Sequence, residues 1–208
     1  RSSRIRLLTD LSIKDYKEVN PEFGNLDELF SLGGASGGAR PKVHLEIDDE
    51  AWIIKFPAIN DSKNIGVLEY QANILAKRAK IKINDHKLFA SKKTSGFFGA
   101  KRFDLIEGRR VHTISVSALL ETTHQIPNLD YYHLFQIIEQ ISVDKADLEE
   151  MFRRMVFNVL LGNKDDHGKN HAFIYDELLK GYVLSKAYDI TITKEKLEHE
   201  ITINGKGN

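Results

Sequence analysis

The spacing of apolar residues changes along the chain, and this change limits the folds that the sequence can adopt. Val43 to Ile47 alternates apolar and polar residues, which predicts a strand, and the apolar run from Trp52 to Phe56, closed by Pro57, predicts a second one. Asp48-Asp49-Glu50 between them is typical of a hairpin turn. Residues 97–106 again have strand character. The first part of the chain is therefore predicted to be rich in strands.

Helical spacing begins at residue 65. Helices are predicted at 65–81, 129–141 and 148–161, and short strands at 172–175, 182–184 and 199–203. The helix at 148–161 has an apolar stripe and ends at Gly162; the stripe consists of Phe152, Met155, Val156 and Val159. Strands followed by helices predict an α+β chain of two lobes rather than a βαβ sheet. We expect an N-lobe at 1–104 and a C-lobe at 105–208.

Composition excludes several classes of protein. Thirty Lys and Arg balance thirty Asp and Glu, so no net charge attracts a nucleic acid. The chain has no cysteine, which excludes disulfides and cysteine-ligated zinc. No apolar run approaches the ~20 residues that a membrane-spanning helix needs. We expect a soluble, cytoplasmic protein that binds neither nucleic acid directly nor a membrane.

A glycine-rich segment covers residues 31–42, Ser-Leu-Gly-Gly-Ala-Ser-Gly-Gly-Ala-Arg-Pro-Lys. Glycines let a backbone approach a ligand closely, and consecutive N–H groups in such a loop can bind an anion. The segment is not a Walker A loop, because Gly-Lys-Ser/Thr does not close it. By itself, such a segment is more often a flexible surface loop.

Lys55 lies within the second apolar strand, after the glycine-rich segment. This placement is typical of the kinase lysine that holds nucleotide phosphates. Glu69, in the following helix, is a candidate ion-pair partner. The alternative is a lysine that points to water from an edge strand.

A short polar loop, residues 163–170, joins an apolar helix to a strand. Asp165 could accept a proton from a hydroxyl nucleophile, and Asn170 could supply an oxygen to Mg²⁺. Their five-residue separation matches the kinase catalytic loop. A metal site that uses His167 remains an alternative, as does a turn capped by Asp and Asn.

Asp189 follows Tyr188 after a short strand, where a kinase places its second Mg²⁺-binding aspartate. The order of glycine-rich loop, lysine, Asp/Asn loop and aspartate is far less frequent by chance than any single member. The sequence therefore predicts a phosphotransferase that uses ATP and Mg²⁺.

Five motifs together resemble the HipA-type kinases, the toxins of bacterial type II toxin–antitoxin modules. They are Ser36-Gly37-Gly38-Ala39-Arg40-Pro41-Lys42, Ile54-Lys55-Phe56-Pro57, Lys101-Arg102-Phe103-Asp104, Asp165-Asp166-His167-Gly168-Lys169-Asn170 and Tyr188-Asp189. The resemblance implies a bilobal protein-kinase-like fold, Mg²⁺-ATP as cofactor, and a protein substrate phosphorylated on serine or threonine, such as an aminoacyl-tRNA synthetase. It also implies an antitoxin protein as partner.

The resemblance also assigns roles to single residues. ATP would be bound by the loop, the lysine and the hinge between lobes: Gly33, Gly34, Ala35, Ser36, Gly37, Gly38, Lys55, Lys101, Phe103 and Asp104. Phe103 would pack against adenine and Asp104 would reach the ribose. Asp165 would be the catalytic base, supported by His167 and Lys169. Asn170 and Asp189 would bind Mg²⁺.

The chain departs from the family pattern in three places. Lys101 replaces an acidic hinge residue. Ala35 aligns with the autophosphorylated serine, which leaves the adjacent Ser36 as the candidate for that modification. Only residues 190–208 follow Asp189, so the helical C-lobe is expected to be truncated. Stand-alone relatives include secreted effector kinases, and the further alternatives are a small-molecule kinase and a nucleotide-binding pseudokinase that acts as an interaction module.

Overall fold

A computed structural model describes residues 5–7, 24–33, 40–106, 108–121, 129–193 and 196–207. They divide into two units, each built from two stretches of chain: Arg1–Gln71 with Asp85–Arg109, and Ala72–Asn84 with Arg110–Asn208. The domain boundary between 104 and 105 stays a prediction. Within the described ranges, no helix is both long and apolar enough to cross a membrane.

The first unit contains a five-stranded antiparallel sheet and the helix α1 (Gly24–Gly33). The sheet order is β1-β2-β3-β5-β4. Its strands are β1 (Ile5–Leu7), β2 (Lys42–Ile47), β3 (Glu50–Lys55), β4 (His86–Phe89) and β5 (Phe97–Lys101). The strand predicted at 97–106 is divided, because β5 ends at Lys101 and β6 (Leu105–Ile106) pairs with β7 (Arg109–Arg110).

The predicted hairpin between β2 and β3 is confirmed. Ile47 pairs with Glu50, and the turn residues Asp48 and Asp49 have φ values of 54° and 63°. A two-residue hairpin turn needs this left-handed backbone, which aspartate tolerates better than most residues. Glu50 begins β3 rather than belonging to the turn, so the strand starts two residues earlier than predicted.

Alternation along β3 sends Trp52 and Ile54 into the core of the first unit, and Phe56 follows them. Phe56 meets Phe97 edge-on at 4.8 Å between ring centroids. Leu26 and Leu29 of α1 close this core.

The sequence interpretation missed α1. The glycine-rich loop was predicted to begin at Ser31, but residues 31–33 form the last turn of this helix. Leu26, Leu29 and Phe30 have helical spacing, and burial of this face against the sheet stabilises a helix that the nearby glycine and proline signals disfavour.

The second unit is mainly helical around a three-stranded sheet of order β10-β9-β8. Its elements are β8 (Thr113–Ser115), α3 (Val116–Leu119), α4 (Tyr131–Ile141), α5 (Ala146–Leu161), a 3-10 turn (Gly168–Asn170), β9 (Ala172–Asp176) and β10 (Gly181–Leu184). The helix α2 (Ile65–Arg78) gives its second half to this unit and stops three residues before the predicted end. The strand predicted at 199–203 is absent, and only Thr202 and Ile203 of these residues form isolated bridges.

Two helix ends follow from local chemistry. The Asp130 side chain accepts a hydrogen bond from Tyr132 N, and Asp130 N donates to His133 Nδ1, so α4 starts at Tyr131 rather than 129. Gly162, with φ 74°, ends α5 as predicted.

The predicted apolar stripe of α5 faces outward at three of its four positions. Phe152, Val156 and Val159 are 54%, 38% and 43% exposed, and only Met155 packs against the core. The inner face instead carries Glu150, Arg154 and Asn158 at i, i+4 and i+8. These polar side chains bond to other segments of the unit: Glu150 accepts from Lys82 N, Arg154 donates to the Ser185 carbonyl, and Asn158 accepts from Asn163.

We expect Leu134→Ala to lower the free energy of unfolding by about 2–5 kcal/mol, because Leu134 is 1% exposed in the core of the second unit. Tyr132→Ala on the same helix is the control, since Tyr132 is 64% exposed. Urea unfolding followed by circular dichroism measures both. Equal losses in the two variants would contradict the assignment of the core.

Candidate functional site

Lys55 ends β3 and forms an ion pair with Glu69 of α2. Nζ lies 2.5 Å from Oε1, and the two side chains are 19% and 3% exposed. Register explains the position, because the alternation that buries Ile54 places Lys55 on the opposite face of the strand. The pair predicted from sequence is present, and its shielding from water makes it stronger than a surface salt bridge.

Arg40 is a second cation at Glu69, and the sequence interpretation gave it no role. Its Nη1 lies 4.0 Å from Glu69 Oε2, and its Nε donates to Asp61 Oδ2 at 2.9 Å. Asp61 also accepts from Ala58 N at 2.9 Å. Arg40 therefore ties the end of the glycine-rich segment to the same carboxylate that holds Lys55.

The glycine-rich segment itself lies mostly outside the described residues. Gly33 is the last residue of α1. The predicted ATP-binding residues Gly34, Ala35, Ser36, Gly37 and Gly38 fall within 34–39, which the structure does not describe.

The predicted hinge residues follow one another at the end of β5. Lys101 Nζ pairs with Glu50 Oε1 at 2.6 Å and Asp85 Oδ2 at 3.1 Å. Arg102 donates two hydrogen bonds to Asp104, from Nε to Oδ1 at 2.9 Å and from Nη2 to Oδ2 at 2.6 Å. Phe103, between them, is partly buried. This two-point contact outweighs burial and lowers the pKa of Asp104, so its carboxylate is charged and oriented.

In the second unit, the loop 163–170 brings Asp165 and Asn170 together. Asn170 Nδ2 donates to the Asp165 carbonyl at 3.0 Å, and Asn170 N donates to the His167 carbonyl at 2.8 Å. The first bond fixes the amide so that its Oδ1 faces away from that carbonyl. Asn170 is 8% exposed, whereas the Asp165 side chain is 45% exposed.

Lys196 contacts the Asp165 carboxylate through Nζ and Oδ1, and the same ammonium contacts Glu200 Oε1. Burial disfavours the charge of Lys196, but the hydrogen bonds to both carboxylates outweigh it and raise its pKa. Three charged side chains therefore meet at the predicted base.

Asp166, the neighbour of Asp165, is buried at 2% exposure. His171 Nε2 lies 2.7 Å from Asp166 Oδ1, and the Tyr131 hydroxyl donates to Oδ2. Burial alone would raise the pKa of Asp166, but its attraction to His171 and its hydrogen bonds lower it below the ordinary value of 3.8. The polar contacts continue from Tyr131 to Asn158, and from Asn158 to Asn163.

The segment that leads to Asp189 is anchored at three residues. Arg154 Nη2 donates to the Ser185 carbonyl at 2.7 Å, and Ala187 N donates to the Lys82 carbonyl at 2.8 Å. The Tyr188 hydroxyl donates to the Lys169 carbonyl at 2.5 Å. Burial and the nearby Asp189 carboxylate raise the pKa of Tyr188, so its hydroxyl keeps its proton. Asp189 has a φ of 55°, a conformation that needs such anchors in most non-glycine residues.

A magnesium site at these residues fits the donor chemistry. Among the described residues, no group of three His, Asp or Glu side chains could hold a metal ion unaided. Mg²⁺ bound with a nucleotide needs fewer protein ligands, since it takes one or two carboxylates together with phosphate oxygens and water. The fixed amide of Asn170 and the carboxylate of Asp189 are oxygen donors of the kind it prefers.

Three groups of residues were missed by sequence reasoning. Asp166 and His171 lie in or beside the polar loop, so a second buried aspartate was detectable there in principle. Arg40 adjoins the glycine-rich segment. Lys196 lies 31 residues from Asp165, and no sequence pattern links the two.

A sheet-based unit with a shielded Lys–Glu pair and a helical unit with an Asp–Asn loop define a kinase-like α+β fold. Two solved structures have the same fold. HipA in the Shewanella oneidensis MR-1 complex of HipA, HipB and operator DNA has a TM-score of 0.68 and 15% identity, covering 99% of this chain and 55% of that chain. The Helicobacter pylori proinflammatory kinase CtkA has a TM-score of 0.61 and 14% identity, covering 82% and 71%.

Sequence comparison gives the family. A family model for the HipA-like C-terminal domain matches residues 34–208, and the chain therefore belongs to that family, as its motifs predict. A Sinorhizobium fredii protein named "Putative kinase Y4dM" is 33% identical over 106 residues. The match covers 49% of this chain and 25% of Y4dM, so the chain spans only part of that relative and 55% of the HipA chain.

We expect Asp166→Asn to flatten the loss of stability in acid. The folded pKa of Asp166 lies below 3.8, so its stabilising contribution is fully present above that value and disappears as the pH falls through the lower folded pKa. Urea unfolding between about pH 5 and pH 2 measures the slope of stability against pH. A wild type and a variant with the same slope would show that Asp166 does not contribute in this way.

Proposed function

We propose that this protein is an ATP-dependent serine/threonine protein kinase and the toxin of a type II toxin–antitoxin module. One observation carries the proposal: the Asp165–Asn170 arrangement, at kinase spacing and fixed by a hydrogen bond, in a chain whose Lys55 is paired with Glu69. Membership of the HipA-like family supports the same chemistry.

Residues of the first unit would bind the nucleotide. Lys55 would hold ATP phosphates, with Glu69 and Arg40 fixing its position and the glycine-rich segment adding backbone N–H groups. The backbone at Lys101 and the ring of Phe103 would contact adenine. Asp104, oriented by Arg102, would accept a hydrogen bond from the ribose. These assignments follow the family resemblance residue by residue, except that of Arg40, which rests on its contacts with Glu69 and Asp61.

Residues of the second unit would carry out the transfer. Asp165 would orient the serine or threonine hydroxyl and accept its proton as the oxygen bonds to the γ-phosphorus and the bond to ADP breaks. Asn170 and Asp189 would hold Mg²⁺, which neutralises phosphate charge when bound. His167 and Lys169 would support the loop, since their carbonyls accept bonds from Asn170 N and the Tyr188 hydroxyl.

The proposed partners are a protein substrate, with an aminoacyl-tRNA synthetase as one candidate, and a protein antitoxin. The similar HipA structure contains HipB and operator DNA. We assign DNA contact to the antitoxin. The present chain has 30 basic and 30 acidic residues, so it has no net positive charge to attract the phosphates of DNA. Action in the cytoplasm of the producing cell, and autophosphorylation at Ser36, belong to the same proposal.

A secreted effector kinase is the second candidate, favoured by the likeness to CtkA over 82% of this chain. The two roles differ in substrate. Incubation with labelled ATP and extracts of the producing cell or of a eukaryotic host would separate them, because the toxin role requires a labelled protein in the first extract.

We expect Asp165→Asn to lower phosphate transfer by about 10²-fold or more, the usual contribution of a general base. Transfer of label from ATP to protein, measured at saturating Mg²⁺, is the assay. Asp176→Asn is the matched control, because Asp176 lies in the same unit but caps a turn through Leu178 N and Leu179 N. Full activity in Asp165→Asn would remove the proposed base.

Asn170→Ala and Asp189→Asn should weaken binding of Mg²⁺-ATP while leaving metal-free ATP binding nearly unchanged, because their oxygens would contact the metal. Titration calorimetry with and without a chelator measures both affinities. If both variants bind Mg²⁺-ATP like the wild type, these residues are not the metal ligands. Metal-dependent binding without phosphate transfer by the wild type would favour the pseudokinase alternative.

A further inference from the structure

Lys196 lies between two carboxylates, one of which is the proposed base. Its Nζ contacts Asp165 Oδ1 and Glu200 Oε1, and the three side chains are 35%, 45% and 26% exposed. No motif in the sequence singles out Lys196, and the roles assigned above do not include it.

The segment around Lys196 is held in place by two hydrogen bonds to Lys164 of the polar loop. Lys164 Nζ donates to the Leu197 carbonyl at 2.8 Å, and Glu200 N donates to the Lys164 carbonyl at 3.2 Å. Ile201 then enters the core at 2% exposure. An exposed ion pair between flexible side chains is worth little, because ordering them costs entropy. Here the two hydrogen bonds of Lys164 already hold the backbone around Lys196 near the loop. Forming the Lys196–Asp165 ion pair therefore loses less conformational entropy.

We infer that Lys196 is a positioning residue for Asp165, an inference that rests on the proposed kinase function. With Oδ1 on the ammonium, the carboxylate has one orientation, and Oδ2 is the oxygen that would accept the substrate hydroxyl. Lys196 has two carboxylate partners, and this affects its charge balance during the reaction. When Asp165 takes up the proton and becomes neutral, Lys196 keeps Glu200 as its partner, so no cation loses its only counter-charge during transfer.

The test uses the full protein, labelled ATP and its protein substrate, with the autophosphorylation signal as readout if no substrate is known. Lys196→Met should lower kcat by about ten- to a hundred-fold, the effect of a misplaced catalytic group, with the KM for ATP unchanged. Lys196→Arg should recover most of the activity, because the guanidinium keeps the charge and can bond to both carboxylates.

Lys164→Met is the matched control. It removes the other lysine that anchors the same segment but leaves the charge at Asp165, so its kcat should fall less than that of Lys196→Met. Lys196→Met should also cause no further loss in an Asp165→Asn background, whereas a purely structural role would multiply the two losses. Thermal unfolding of each variant shows whether it is folded.

The outcomes separate the two proposals. An inactive wild type overturns the kinase function and the role of Lys196 with it. An active wild type with unchanged or raised kcat in Lys196→Met overturns the role of Lys196 alone. Equal losses in Lys164→Met and Lys196→Met would also overturn it, because they would assign the effect to anchoring of the segment.

Discussion

Burial of the Asp166 carboxylate places a strong demand on the second unit. An ionised carboxylate removed from water is costly unless donors replace the water. His171, Tyr131 and Asn158 supply these interactions. They come from the residue before β9, from α4 and from α5, so one carboxylate ties two helices and the entry to a strand to the polar loop. The polar loop must adopt a backbone conformation that buries Asp166, and this conformation also sets the direction of the adjacent Asp165 side chain.

Asp165 and Asp166 show how adjacent identical residues acquire different properties. Asp166 is 2% exposed and surrounded by donors, whereas the Asp165 side chain is 45% exposed and contacts the ammonium of Lys196. The buried residue stabilises the loop, and the exposed one is available for chemistry. A similar division applies to α5, whose inner face carries Glu150, Arg154 and Asn158 and thereby supports both the polar loop and the Asp189 segment.

Local patterns in the sequence were sufficient for the β2–β3 hairpin, the end of α5 at Gly162 and the position of Lys55 on its strand, because each depends on residues close in the chain. Helix α1 was missed because the sheet that buries Leu26 and Leu29 is formed by residues much later in the sequence. The outward stripe of α5 was misassigned because periodicity reports that a face is apolar but not whether another element covers it. Pairs such as Lys196–Asp165 and Arg40–Asp61 depend on the path of the chain, which spacing does not encode.

The left-handed backbone of Asp189 has a consequence for how such proteins diverge. Asparagine shares with aspartate an unusual tolerance for this region of φ, and the two side chains have nearly the same volume. One nucleotide change, from an aspartate to an asparagine codon, could therefore remove a carboxylate while the surrounding anchors stay in place. With Asp189 in its proposed role as a metal ligand, a lineage would lose catalysis without losing a folded domain, and the domain could then be retained for binding alone. In this fold, active enzymes and inactive binding proteins are expected to be close neighbours in sequence.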